Sequence, residues 1–190
     1  MKTILYSLLF ISTTALADSI VIVDQIGSNN TITVEQKDAD NNYVKIKTGT
    51  VSSVDYTTFS VLQQGTGAKT ADVEIKSGIN NTVNLTQDGA GNHKANVIGL
   101  IGSGNNIAVN QSGAGSHEFK VDNLNSSTNN GNTVTATQSG GAGADKWFAL
   151  NLNGATGANV TVTQNNPTTP NQGSMSIQCN PCGAWSYVRN

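Results

Sequence analysis

Six segments of the chain alternate polar and apolar residues on one template, N-x-h-x-h-x-Q, where h is apolar. They are 30–36, 57–63, 81–87, 105–111, 132–138 and 158–164, and each closes on a glutamine. Thr57 and Ala158 stand where the other four begin with Asn30, Asn81, Asn105 and Asn132. All twelve h positions are apolar in a chain that is only 36% hydrophobic, so chance alignment is a poor explanation. Strict alternation predicts strands, with Ile32, Val34, Phe59, Val61, Val83 and Leu85 turned inward and the intervening Thr, Asn and Ser turned to solvent.

A second, looser set alternates between these strands, over 19–25, 42–48, 71–77, 96–102, 117–123 and 146–152, with a seventh beginning at Met175. Its expected inward pairs are Val21/Val23, Val44/Ile46, Val73/Ile75, Ile98/Leu100, Phe119/Val121 and Phe148/Leu150. Each repeat is then strand, turn, strand, turn, with a period of about 25 residues. Such a unit cannot bury its apolar face alone, but stacked copies build a continuous core between two sheets. The expected fold is an all-β β-solenoid of about six strand-turn-strand repeats in two stacked parallel sheets, a rod roughly 30 Å long.

Composition agrees and narrows the chemistry. The 25 Asn and 20 Gly are turn formers that interrupt helices, which excludes a helical bundle. Net charge is only -2, so no basic excess exists to hold a nucleic acid. Scarce charge also suits stacking, because a like charge repeated in every layer would repel itself at strand spacing. Asn and Gln carry both a donor and an acceptor without charge. The inward parity of Gln36, Gln63, Gln87, Gln111, Gln138 and Gln164 predicts one amide ladder, and Asn30, Asn81, Asn105 and Asn132 predict another.

Residues 1–17 read as a secretory signal peptide. Lys2 forms the positive start, Ile4 to Ile11 the apolar run, and Ala15-Leu16-Ala17 the small-residue cleavage site. The expected organisation is signal peptide 1–17, repeats 18–166, and a C-terminal tail 167–190. No segment approaches the length of a membrane span. Cys179 and Cys182, in Cys-Asn-Pro-Cys, form a possible disulfide in an exported chain.

The repeat resembles that of the curlin family, subunits of bacterial curli fibres. Its unit is Ser-x-h-x-h-x-Gln-x-Gly-x-x-Asn followed by Asn-x-h-x-h-x-Gln. The first half is matched by Ser19, Val21, Val23, Gln25, Gly27 and Asn29, and the second by Asn30, Ile32, Val34 and Gln36. The turn Gln-x-Gly-x-Gly-Asn stands intact at 87–92 and nearly so at 63–67 and 111–115. The resemblance covers roughly 19–164. It implies a secreted subunit that self-assembles head to tail into extracellular amyloid fibres for adhesion and biofilm matrix. Its partners would be further copies, other curlin-like subunits and an export machinery. Departures mark a divergent member: the looser strands keep a closing glutamine only at Gln25, the loops 49–56 and 124–131 are long, and the repeats begin about two residues after Ala17.

Other signals are weaker. Outward threonines such as Thr31/Thr33, Thr133/Thr135 and Thr161/Thr163 give an ice-binding β-solenoid as the alternative, with a non-polymerising solenoid adhesin beside it. The segment 140–145 (GGAGAD) matches one copy of a calcium β-roll motif, and a single copy reads as a turn. His93 and His117 read as a surface pair in neighbouring layers without a third metal ligand. No catalytic constellation has a cleft in a filled solenoid, so the reading is non-enzymatic, with no cofactor and no metal.

Overall fold

The computed structural model describes residues 8–13, 19–25, 27–37, 41–49, 54–123 and 128–190. The expected cleavage site and parts of both long loops lie outside the described residues. No helix is found among those described, and hence none long and apolar enough to cross a membrane. Among the described residues there are sixteen strands, β1 to β16, and all but β5 alternate between two sheets. The first sheet runs in the order β1 (Leu8–Thr13), β3 (Thr31–Lys37), β6 (Thr58–Gln64), β8 (Thr82–Asp88), β10 (Asn106–Gly113), β12 (Thr133–Gly140), β14 (Asn159–Gln164) and β16 (Ala184–Arg189). The second contains β2 (Ile20–Asp24), β4 (Tyr43–Thr48), β7 (Lys69–Ile79), β9 (His93–Ile101), β11 (His117–Asn123), β13 (Lys146–Leu152) and β15 (Asn171–Ile177), again stacked in chain order. Every pairing is parallel and joins a strand to its counterpart one repeat away. The fold is a two-sheet β-solenoid of about six turns.

The predicted first-sheet strands agree with β3, β6, β8, β10, β12 and β14 to within two residues at either end. All twelve h positions are buried, none more than 3% exposed. Register makes them columns: Ile32, Phe59, Val83, Ile107, Val134 and Val160 stand directly over one another. Facing columns from the second sheet close the core, with Phe119 and Phe148 stacked at 5.8 Å.

Two expectations need correction. In β9 the inward residues are Ala95, Val97 and Leu100, while Ile98 is only half-buried. Val73 pairs with Val97 but Ile75 pairs with Leu100, so β9 carries an extra residue, and the bulge falls at Gly99 with φ of 69°. An extra residue inverts the parity on either side of it, which simple alternation cannot anticipate. The solenoid also continues past 166, since the tail supplies β15 and β16, one strand for each sheet. Before β3 in the first sheet, β1 overlaps the apolar run of the expected signal peptide and pairs with β3 in parallel from Leu8↔Thr31 to Thr13↔Gln36.

A narrow third side joins the sheets through β5 (Val54–Asp55), which pairs with the end of β7. Its layers approach so closely that a Cβ on Gly102 would lie 1.8 Å from the Asn129 carbonyl oxygen, and φ there is 130°. Only glycine occupies such a corner without strain.

Candidate assembly site

The six glutamines form one continuous buried ladder along the corner where first-sheet strands end. Each Nε2 donates to the next Oε1, from Gln36 through Gln63, Gln87, Gln111 and Gln138 to Gln164, at 2.8–2.9 Å. The second amide hydrogen crosses to the other sheet: Gln63 donates to the Tyr43 carbonyl, Gln87 to Thr70 and Gln138 to Glu118. One side chain therefore links its own layer to the next and the first sheet to the second. A buried amide so placed is fully used, and removing it leaves several partners unpaired.

The asparagine column lies at the opposite end of the same strands. Asn105 donates to Asn81 Oδ1 and Asn132 to Asn105 Oδ1, both at 3.0 Å. Thr57 and Ala158 interrupt the side-chain ladder, yet their backbone N–H groups still donate to Asn30 and Asn132 at 2.9 and 2.8 Å. The column survives because it needs only a donor above each amide oxygen, and the main chain supplies one.

A third column was not expected. Register places Lys69, His93, His117 and Lys146 directly over one another at the start of the second-sheet strands. All four are buried, at most 1% exposed, so the histidines are core residues rather than a surface pair. Their rings stack with centroids 5.0 Å apart. Each Nε2 faces a carbonyl oxygen, Asp88 at 2.8 Å and Ser112 at 2.9 Å, which assigns the proton to Nε2 and leaves both Nδ1 atoms bare. The ammonium groups are saturated by carbonyls. Lys69 Nζ donates to Gly67, Gly89 and Gly91, and Lys146 Nζ to Ala144, Asn166 and Thr169. Burial lowers every group in the column: His93 falls to about 4, with Lys69 and His117 adding to the shift, and Lys69 to about 8, partly opposed by Asp88. His117 and Lys146 are lowered for the same reason, Asp145 opposing. Two neutral rings thus separate two cations. The column was legible as alternation extended one inward position before Ala71, Ala95, Phe119 and Phe148. What concealed it was the assumption that Lys and His belong outside.

The remaining signals fall into place around these columns. Cys179 and Cys182 are joined by a disulfide in the turn between β15 and β16. Asp145, the aspartate of the glycine-rich motif, accepts the Ser116 backbone N–H at 2.8 Å, so its carboxylate fixes a turn. Among the described residues no group of three or more His, Cys, Asp or Glu is placed to hold a metal.

The two ends of the rod differ. At the N-terminal end Gln36 Oε1 is buried without a donor, and Val21 and Val23 are only half-covered. At the other end Arg189 stands in register above Gln164, and Trp185 and Val188 are 43% and 53% exposed. Tyr187 lies across that end against Phe148, its hydroxyl donating to the Gln172 carbonyl at 2.9 Å.

No family model, curated protein or solved structure matches the chain.

Proposed function

We propose that the chain is an exported structural subunit that adds end to end to further copies, forming extracellular curli-type amyloid fibres. The observation that carries this reading is the open, directional glutamine ladder. Gln36, Gln63, Gln87, Gln111 and Gln138 each donate to the next glutamine toward the C-terminal end, so a free acceptor is left at Gln36. With the leader removed, β3 and β2 become the outermost strands, and their unpaired backbone groups can receive β16 and β15 of another copy. The half-covered Val21 and Val23 would then meet Met175 and Tyr187, and both sheets would continue across the junction. Head-to-tail contacts of this kind build open filaments rather than closed rings. Where charge enters the layers, at Lys69 and Lys146, the His93 and His117 layers stand between the two, so like charges are not stacked directly on one another.

Incubating residues 18–190 tests this. Filaments with a meridional reflection near 4.7–4.8 Å are expected. A chain that stays unpolymerised and produces thermal hysteresis would overturn the reading in favour of ice binding. Without hysteresis, the same result would leave a non-polymerising adhesin.

A further inference from the structure

The two broad faces of the rod have different chemistry, and nothing in end-to-end stacking requires it. The outward side of the second sheet is charged, carrying Lys45, Asp72, Glu74 and Lys76 and the cross-strand and neighbouring ion pairs Lys94–Glu118 at 3.4 Å and Lys120–Asp122 at 2.9 Å. The outward side of the first sheet carries no charge at its three central columns from β6 to β14. Its middle column is Ser60, Asn84, Ala108, Thr135 and Thr161, in register. The columns beside it add only Thr, Asn and Leu62. Charge returns at the rim, with Glu35 and Lys37 on β3 and Asp88 at the end of β8. Over Ala108 the face dips into a shallow depression of about 250 Å³, bounded by Asn84, Asn110, Thr135 and Thr137.

We infer that this uncharged face is a lateral interface with a second copy of the chain, the two first sheets lying face to face. Opposed copies would have no charge to desolvate. Their short side chains permit the approach of about 10 Å at which sheets interdigitate. Hydroxyls and amides both donate and accept, so a self-opposed surface can satisfy its own polar groups. The area sets the strength. Five strands about 4.8 Å apart and about 20 Å long give roughly 500 Å² on each partner, or roughly 1,000 Å² in all, the lower bound of specific interfaces. Single chains therefore pair weakly, and the contact strengthens as end-to-end addition lengthens the face. The charged second sheet faces outward in such a pair and limits further layering.

Sedimentation of residues 18–190 over rising concentration, with electron microscopy of any filaments, tests the pairing independently of polymerisation. Before filaments form, wild-type chain is expected to reach twice its monomer mass in a species lost on substitution of the uncharged face, and afterwards to give filaments in twos. The double substitution Ala108→Lys and Thr135→Lys should shift dimerisation by about tenfold or more and leave filaments single, while Asn151→Lys on the second sheet should do neither. Retained circular dichroism and unfolding midpoint establish that the variant is folded, and Thr137→Lys provides a second, milder probe. Absence of filaments with pairing intact would count against end-to-end assembly alone. Three results would overturn the lateral interface: a wild-type chain monomeric throughout with single filaments, a variant that pairs normally, or an unpaired wild type that adsorbs to ice or a neutral polysaccharide through these residues.

Discussion

Gln87 is held by Gln63 from one side and donates to both Gln111 and the Thr70 carbonyl. Its truncation to Ala leaves three buried groups without partners, a loss of about 3 kcal/mol expected from desolvated amides. Thr135→Ala, on an exposed outward position, should stay within about 0.5 kcal/mol. Chemical denaturation of the two variants measures the contrast. In assembly kinetics, Gln87→Ala with Gln111→Ala should likewise slow growth more than Thr133→Ala with Thr135→Ala. His93 makes a different prediction. Its folded value near 4 lies below the unfolded value near 6.5, so between these the unfolded chain binds more protons. Stability therefore falls as pH drops from 6.5 toward 4, by at most about 1.4 kcal/mol per pH unit for each such histidine. His93→Phe, which keeps a ring against His117, should flatten that part of a stability-against-pH curve. Lys69 acts with the same sign in another window, stability rising as pH climbs from about 8 to 10.5.

Among the elements, the corners are the least tolerant. Gly102→Ala places a Cβ against the Asn129 carbonyl at a backbone angle that side chains avoid, and a cost of about 3 kcal/mol or more is expected by thermal unfolding. The last layer is tied differently. The Cys179–Cys182 turn is held to the preceding layer by the Thr156 N–H donating to the Cys179 carbonyl and the Cys182 N–H donating to the Thr156 carbonyl. Closing so short a loop contributes about 2 kcal/mol in the chain-entropy model. Reduction should accordingly speed hydrogen exchange in β15 and β16 while amides of β8 to β12 stay protected. The strands themselves were legible because a period of two and a closing Gln are local signals. The bulge in β9 was not, since only pairing with β7 and β11 reveals which residue is surplus.

For the whole molecule, the occupied edge matters most. In the full chain β1 lies where an incoming strand would have to dock. Residues 1–190 are therefore expected to elongate preformed filaments more slowly than residues 18–190 at the N-terminal end, a difference that seeded growth assays read directly. Equal rates would mean that β1 yields readily to an incoming strand.

By itself the sequence determined the solenoid. A repeated alternation specifies which face of each strand is buried, and a recurring Gln specifies where layers align, so neither needs knowledge of distant contacts. Tertiary structure decided which polar residues share a column. Lys69, His93, His117 and Lys146 occupy unrelated local sequences and become one buried stack only when the layers are in register. The uncharged face arises the same way. Each outward Thr or Asn is ordinary in its strand, and the absence of charge acquires meaning only when five strands lie side by side.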